Sequence, residues 1–262
     1  MARAIAETFE GLKQRGRKAF IPFITAGDPD LEATIRLVPE LALAGADIVE
    51  LGIPFSDPVA DGPTIQRSSE RALRNGYRLA DILEAVRLIR KQTPIPLVLF
   101  SYFNPILQYG LENLARDARV AGVDGVLVTD ITPEEGEEYC ACLERHDLDP
   151  IFLVAPTSSA ERITKIVEHC RGFVYVVSRA GVTGAQDSIS ASVLPTVACV
   201  RERTRLPVAV GFGISRPDQV RAVWQIADGA VVGSAIVSQI EKHAGAPDLE
   251  SRIGAFCRWL VS

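Results

Sequence analysis

ADIVELGIPFSDPVADGPTIQ, residues 46–66, is the stretch that decides the fold and the chemistry of this chain. Its apolar start, Ala46 to Leu51, predicts a buried strand that carries Glu50 near its carboxyl end. Side chains alternate along a strand, so Glu50 and Ile48 share one side of it. A carboxylate among apolar side chains is costly, and we therefore expect the pKa of Glu50 to be raised.

The loop after this strand is suited to hold carboxylates in place. Residues 52–63 contain three prolines and two glycines, which restrict the backbone around Asp57 and Asp61. A helix is predicted from Thr64. Rigid loops that carry carboxylates at the end of a strand often position catalytic groups. The simpler alternative is a Glu50 side chain that turns out to solvent.

Short apolar runs alternate with helical patterns along the rest of the chain. The predicted strands are 20–24, 46–51, 96–100, 125–128, 150–154, 173–177, 207–210 and 229–232. Helices are predicted at 31–44, 64–75, 79–92, 111–121, 193–203 and 249–261, and in the segments that end at Cys170 and Ile226 and that follow the last strand. SYFNPILQYG at 101–110 is expected to be a loop, and TDITPEE at 129–135 to open a helix with Pro133 in its first turn.

Strands that are almost entirely apolar are typical of parallel strands buried on both faces. Eight of them in 262 residues predict an α/β fold, the (β/α)8 or TIM barrel. An open doubly wound sheet is the alternative, but no GxGxxG turn follows the first strand. We find no linker, so residues 1–262 are predicted to form a single domain. An extra N-terminal helix with Ile5, Phe9 and Leu12 on one side is expected to cover the amino-terminal mouth of the barrel.

Composition excludes several classes of protein. The net charge of −5 gives no reason to expect binding to nucleic acid or to an anionic membrane surface. No run of about 18 apolar residues appears, and the N-terminus lacks the apolar core of a signal peptide. Five cysteines without a CxxC pair indicate reduced thiols. We therefore expect a cytoplasmic protein, or a plastid stroma protein if the source is a plant.

In a TIM barrel, function lies at the carboxyl ends of the strands. None of the three histidines and none of the five lysines follows a strand, so we expect no metal site and no Schiff base there. The predicted active face instead carries carboxylates and aromatic side chains, a set suited to proton transfer on a flat, apolar substrate. These residues are Glu50, Asp57, Asp61 and Asp130, with Phe23, Phe100, Tyr102, Tyr175 and Phe212. Each aromatic taken alone is more simply explained as core filling.

Glycines after the last three strands indicate a phosphate site. Loop six contains Gly181 and Gly184, loop seven Gly211 and Gly213, and Gly233-Ser234 opens a helix after strand eight. The loops after strands seven and eight often bind phosphate in barrels, where glycine lets backbone N–H groups approach the anion. Ordinary tight turns are the alternative.

The chain resembles the tryptophan synthase alpha subunit family in a series of motifs that covers nearly its whole length. The motifs are ELGIPFSDPVADGPTIQ at 50–66, PFITAGDP at 22–29, GVDGVLVTD at 122–130, IFLVAPTS at 151–158, SRAGVTG at 178–184, GFGIS at 211–215 and GSAIV at 233–237. Departures from the family pattern, at Val59, Thr129, Ile131 and Ala180, remove no catalytic group. The resemblance implies a (β/α)8 barrel that cleaves indole-3-glycerol phosphate to indole and D-glyceraldehyde 3-phosphate, without metal or cofactor.

The resemblance also implies roles for residues that match the family motifs. Glu50 and Asp61 match the catalytic acids, Tyr175 lies beside Glu50, and Thr183 closes the site. The phosphate site is implied at Gly184, Gly213, Gly233 and Ser234. The indole pocket is implied at Phe23, Phe100, Leu127, Thr129, Leu153 and Phe212.

The family works with a partner, a beta subunit that holds pyridoxal phosphate and receives indole, in an alpha2beta2 heterotetramer. Residues matching the surface that faces it are Pro54, Asp57, Asn104, Pro105 and Pro133. Two other functions stay open: a stand-alone indole-3-glycerol phosphate lyase that releases free indole, and a catalytically weak allosteric subunit. The retained Glu50, Asp61 and Thr183 argue against the second.

Overall fold

A computed structural model of the chain describes residues 4–177, 193–211 and 213–262. Within these ranges it contains nine short strands. They are β1 (Ala19–Thr25), β2 (Val49–Gly52), β3 (Leu97–Ser101), β4 (Gly125–Val128), β5 (Asp149–Ile151), β6 (Leu153–Val154), β7 (Val174–Val177), β8 (Val208–Gly211) and β9 (Gly229–Val232). All of the described pairings between them are parallel.

Helices separate the strands. They are α1 (Ala4–Gln14), α2 (Leu31–Leu43), α3 (Pro63–Arg74), α4 (Leu79–Arg90), α5 (Phe103–Tyr109), α6 (Leu111–Ala121), α7 (Glu137–Arg145), α8 (Ala160–His169), α9 (Val193–Arg201), α10 (Pro217–Ile226), α11 (Ser234–His243) and α12 (Leu249–Leu260). No helix in the described ranges is both long enough and apolar enough to cross a membrane.

The sheet is a barrel that is closed by the chain itself. Its strand order is β5-β4-β3-β2-β1-β9-β8-β7-β6. The two outermost strands, β5 and β6, are consecutive in sequence and separated only by Phe152. That side chain is buried among the outer helices, 6.3 Å from Tyr139 and 6.4 Å from His169 between ring centroids. The predicted fifth strand is therefore divided at the point where Phe152 turns outward, and the TIM barrel is confirmed.

Alternation along the strands separates two apolar layers. Val49 and Leu51 of β2 belong to the layer between barrel and helices, whereas Ile48 belongs to the cluster inside the barrel. On β1, Ile21 and Phe23 point inward and Ile24 points outward. These parallel strands are buried on both faces, which is why their sequences are almost continuously apolar.

The amino-terminal end of the barrel is covered by α1, as predicted. Ile5, Phe9 and Leu12 are buried in the interior cluster. The Phe9 ring lies 5.8 Å from the Phe173 ring, and a Cβ on Gly125, the first residue of β4, would lie 3.1 Å from Ile5. The helix thus removes from water the apolar layer that the open end of the barrel would expose.

Three local predictions are wrong. β2 begins at Val49 rather than Ala46, because the Asp47 carboxylate, not a backbone group, accepts the hydrogen bond from Phe20 N at 2.9 Å. The expected loop at 101–110 contains α5, whose first turn tolerates a proline. Pro133 is not in the first turn of α7. A tight turn ends with a hydrogen bond from Gly136 N to Pro133 O, 3.2 Å, and α7 begins only at Glu137.

Candidate active site at the carboxyl ends of the strands

Glu50 lies inside the barrel and not in solvent. It is 0% exposed and stands in register with Phe23 of β1 and Val98 of β3. The position follows from the alternation on β2, which places Glu50 on the same side as Ile48. The prediction that Glu50 faces the apolar interior is confirmed, and the solvent-facing alternative is wrong.

The Glu50 carboxyl has no hydrogen-bond partner among the described residues. Both of its oxygens are buried without a donor. Burial therefore raises the pKa of Glu50 from its usual 4.5 to about 8, because the ionised form loses its hydration and gains no donor in exchange. Burial, followed by the charge of Glu50, also raises the pKa of Tyr175. An unpaired buried carboxyl is rare and points to a functional position.

Asp61 is held at the edge of the same pocket by the loop between β2 and α3. Its backbone N–H donates to Pro58 O at 3.0 Å, and the Gln66 side chain donates to its carbonyl at 2.8 Å. Burial raises the pKa of its carboxyl from 3.8 to about 6, and a hydrogen bond from Tyr102 opposes that shift. The loop with its prolines and glycines thus places a second carboxyl in the same pocket as Glu50.

Tyr102 organises the Asp61 loop. Its hydroxyl oxygen accepts a hydrogen bond from Ala60 N at 2.9 Å, and its ring packs on Phe55 with centroids 5.2 Å apart. The sequence placed Tyr102 among the aromatics of the active face but gave it no such role. Its position directly after β3 was the available signal, because β3 neighbours β2 in the barrel.

One pocket joins the two carboxyls. The described residues that line it are Phe23, Glu50, Asp61, Ile65, Phe100, Tyr175, Gly213, Val231, Gly233 and Ser234. The Phe23 and Phe100 rings meet edge to face, with centroids 5.3 Å apart. An apolar pocket with two convergent acids suits a flat apolar ligand that carries one or two polar groups.

Glycines on the strands make room for the aromatic rings of this pocket. A Cβ on Gly211 of β8 would lie 2.1 Å from the Tyr175 hydroxyl oxygen. A Cβ on Gly52 of β2 would lie 2.4 Å from the Phe23 ring. Neither distance is compatible with a side chain, so these two strands leave space for Tyr175 and Phe23 to lean into the pocket.

Glycines and the start of a helix in the pocket lining can accept an anion. Gly213 has φ +83°, a conformation that favours glycine. Gly233 is the N-cap of the ten-residue helix α11 and makes no side-chain cap, and Ser234 is the first residue of that helix. Gly213, Gly233 and Ser234 line the same pocket as Glu50 and Asp61, so the positive end of α11 lies beside it.

Comparisons with known proteins agree with this geometry. The family model described as "Tryptophan synthase alpha chain" matches residues 9–258. The tryptophan synthase alpha chain of Geobacter sulfurreducens is 58% identical over 242 residues, which cover 92% of each chain. That of Solibacter usitatus is 50% identical and covers 98% of this chain and 96% of its own.

The chain belongs to the tryptophan synthase alpha chain family.

Solved structures extend this family membership to the fold. The tryptophan synthase subunit alpha of Legionella pneumophila superposes with a TM-score of 0.90 at 37% identity, covering 100% of this chain and 98% of that one. A chain of Mycobacterium tuberculosis tryptophan synthase superposes with a TM-score of 0.90 at 38% identity, and the match covers 100% of this chain and 100% of that one. The barrel of this tryptophan synthase alpha chain family member is thus shared along its whole length.

The pocket assembles eight of the residues that the sequence singled out, namely Phe23, Glu50, Asp61, Phe100, Tyr175, Gly213, Gly233 and Ser234. Leu127 and Leu153 belong to the barrel interior without lining the pocket. Thr129 is half-buried, and its hydroxyl donates to Ser101 O at 3.4 Å. Thr183, Gly184 and Phe212 lie outside the described residues. Sequence reasoning missed Ile65 and Val231, which are ordinary apolar residues in sequence.

The five residues that match the partner surface differ in exposure. Asp57 is exposed and lines a surface groove with Phe55, Pro58 and Leu73. Asn104 is exposed in a second groove, beside Asp130, whose carboxylate accepts a hydrogen bond from Phe103 N at 2.7 Å. Pro105 is half-buried. Pro54 and Pro133 are already buried within the chain itself, without a partner subunit.

Proposed function

We propose that this chain is the lyase subunit that cleaves indole-3-glycerol phosphate to indole and D-glyceraldehyde 3-phosphate. The observation that carries the proposal is the pairing, in one apolar pocket, of the buried and unpaired Glu50 carboxyl with Asp61. Membership in the tryptophan synthase alpha chain family supports the choice of substrate. We further propose that residues 1–262 act as a single domain and work in the cytoplasm.

Glu50 is proposed as the proton-transfer group. Cleavage of the carbon–carbon bond needs a base that takes the proton of the glycerol hydroxyl beside the ring. It also needs an acid that protonates carbon 3 of the indole. A carboxyl with a pKa of about 8 is poised near neutral pH and can do both in turn. The bond electrons pass to the ring, an aldehyde forms, and no atom is gained or lost overall.

Asp61 is proposed as the partner of the indole N–H. When carbon 3 is protonated, positive charge develops on the ring nitrogen. A fixed carboxylate beside that nitrogen stabilises the charge in the transition state, most strongly where water is excluded. Phe23 and Phe100 line the same pocket as the two acids and offer aromatic surfaces to an indole ring. Thr129 and Phe212 are proposed to complete the indole pocket, and Leu127 and Leu153 to support its lining from within the interior cluster.

The phosphate of the substrate is proposed to bind where Gly213, Gly233 and Ser234 line the pocket. Gly213, Gly233 and Ser234 offer backbone N–H groups and the positive end of α11 there. Gly184 is proposed as a further contact, and Thr183 and Tyr175 as groups that close the site over the substrate. Closure would exclude water from Glu50 and Asp61.

We propose that a beta subunit is the physiological partner, in an alpha2beta2 heterotetramer, and that pyridoxal phosphate is held by that partner only. Pro54, Asp57, Asn104, Pro105 and Pro133 are the proposed contact residues. Exposed apolar side chains near two of them, Val59 and Leu107, would gain from being covered. The alternative is a stand-alone lyase that uses the same acids.

The test is an assay of purified chain on indole-3-glycerol phosphate, with and without a tryptophan synthase beta subunit, in which indole is followed. We expect slow turnover alone and strong stimulation by the partner. Fast turnover that ignores the partner would instead identify a stand-alone lyase. No indole in either reaction would reject the proposed activity.

Two variants test the proposed acids. Glu50→Gln and Asp61→Asn keep the shape of each side chain and remove its charge and its proton chemistry. Each is expected to lower kcat by about 100- to 1000-fold, or roughly 3 to 4 kcal/mol of transition-state stabilisation. Near-normal kcat in both variants would contradict the site assignment. Glu84→Gln, which changes an exposed acid of α4, serves as the matched control and should leave kcat unchanged.

A further inference from the structure

Three potential metal ligands meet between α6 and α7, on the outside of the barrel. Glu112 lies in the first turn of α6, Cys142 lies within α7, and His146 is the C-cap residue of α7. Glu112 Oε1 is 2.6 Å from His146 Nε2, and Glu112 Oε2 is 3.2 Å from Cys142 Sγ. All three donor atoms lie within 4.8 Å of one another, and the described parts of the chain contain no second cluster of this kind.

The local sequence accounts for this meeting. Cys142 and His146 are four residues apart, so they lie on one face of the helix, one turn above the other. The Cys142 side chain is buried, whereas His146 and Glu112 are partly or largely exposed. Cys142 therefore holds the cluster against the protein, while Glu112 and His146 leave it open to solvent. A cation can enter the cluster from solvent without any change in the core.

We propose that Glu112, Cys142 and His146 bind a divalent transition-metal ion, Zn²⁺ being the best match to their chemistry. Thiolate, imidazole and carboxylate are the three ligand types that Zn²⁺ takes in proteins, at about 2.0 to 2.3 Å. Tetrahedral ligands at such lengths lie roughly 3.3 to 3.8 Å apart. The observed separations of 2.6 and 3.2 Å are hydrogen-bond distances slightly shorter than that range, and all three atoms lie within 4.8 Å of one another, so a cation requires only a small outward movement of the Glu112 side chain.

Charge supports the same conclusion. A thiolate and a carboxylate together neutralise the two positive charges of the ion, and the thiol proton is released on binding. One cation competes for the site. Arg145 donates to Glu112 Oε2 at 3.1 Å, but its side chain is 59% exposed and can turn to solvent. A water molecule would complete the coordination, and the ion would join α6 to α7.

The experiment uses the full, tag-free chain with its cysteines reduced, titrated with Co²⁺ as a spectroscopic substitute for Zn²⁺. We expect saturation at one Co²⁺ per chain, a thiolate-to-cobalt charge-transfer absorption, and displacement of Co²⁺ by Zn²⁺. Cys142→Ser should abolish the charge-transfer absorption. His146→Gln should weaken binding at least about tenfold.

Two further variants separate this site from adventitious binding. Cys199→Ser changes the half-buried cysteine of α9 and should leave the titration unchanged. Arg145→Gln removes the competing cation and should tighten binding several-fold. Binding without a charge-transfer absorption, or binding that Cys142→Ser leaves intact, would overturn the proposal. His146→Gln changes a half-buried and Arg145→Gln an exposed side chain outside the core, so the test holds even where Cys142→Ser fails to fold. None of these readouts depends on turnover of indole-3-glycerol phosphate.

Discussion

At the scale of single residues, the pocket contains two acids in different environments. Glu50 has no donor, and burial raises its pKa to about 8. Asp61 has a hydrogen bond from Tyr102, and its pKa is about 6. Near neutral pH, Asp61 is therefore mostly ionised while Glu50 can hold or release its proton. Pairs of acids whose pKa values are pushed apart commonly divide proton transfer and charge stabilisation between them.

Tyr102→Phe tests how Asp61 is positioned. The change removes the hydroxyl that accepts from Ala60 N and that lowers the pKa of Asp61. We expect kcat/KM to fall about tenfold, the effect of roughly one hydrogen bond to a charged group. The acid limb of the pH profile of kcat/KM should also move to higher pH, because the pKa of Asp61 rises further.

The matched control is Tyr109→Phe. Tyr109 also donates to a carboxylate, Asp117 at 2.9 Å, but that pair lies on the surface of α5 and α6. It should change neither kcat/KM nor the position of the acid limb. If Tyr102→Phe lowered kcat/KM without moving the acid limb, the hydroxyl would act by accepting the hydrogen bond from Ala60 N and holding the loop, and not through the pKa of Asp61.

At the scale of elements, Arg71 is one of the side chains that attach α3 to its neighbours. Arg71 donates to both oxygens of Asp28 at 2.8 Å and to Glu241 of α11 at 2.7 Å. Asp28 is 1% exposed, and burial raises its pKa even though Arg71 opposes the shift. The Asp61 loop leads directly into α3, so this network also limits how far that loop can move.

Arg71→Met is expected to destabilise the fold because it leaves the Asp28 carboxyl buried without its cation. Removing one partner of a buried pair costs about 3 to 5 kcal/mol, and the partial exposure of Arg71 reduces this to about 2 to 3. Urea unfolding at pH 7 measures the change. Arg87→Met, which breaks the exposed pair with Glu84, is the control and should leave the midpoint unchanged. Equal midpoints for the two variants would contradict the role of the network.

Elements also show what the sequence could predict and what it could not. Periodicity located the strands of the described residues, with β5 and β6 taken as one, and alternation on β2 placed Glu50 inside the barrel, because these patterns depend on local geometry. The division at Phe152 and the helix α5 were missed, since both depend on packing against distant helices. The space that Gly211 leaves for Tyr175 was also unforeseen, because the two residues lie 36 positions apart and meet only through the pairing of β7 with β8.

At the scale of the whole molecule, carboxyls respond to folding in two opposite ways. Burial raises the pKa of Asp28, Asp47, Glu50, Asp61 and Asp124. Hydrogen bonds from arginines lower the pKa of surface acids such as Glu241 and Asp248. A raised pKa means that the folded state binds more protons, so stability falls as pH rises; a lowered pKa has the opposite effect. The stability profile of the chain is the balance of the two groups.

Glu50→Gln isolates the largest contribution to this balance. Between the unfolded pKa of about 4.5 and the folded pKa of about 8, wild-type protein must ionise Glu50 on unfolding, which favours the unfolded state increasingly as pH rises. The amide of Gln does not titrate, so it lacks this dependence. The unfolding free energy of Glu50→Gln minus that of wild type should increase by roughly 3 kcal/mol from pH 5 to pH 8. Urea unfolding at several pH values measures it, with Glu84→Gln as the exposed control. A difference that stays constant across this range would mean that Glu50 is ionised in the folded protein. An ionised carboxylate cannot supply the proton to carbon 3 of the indole, so the proposed role would need a proton donor beside Glu50, and the described residues provide none.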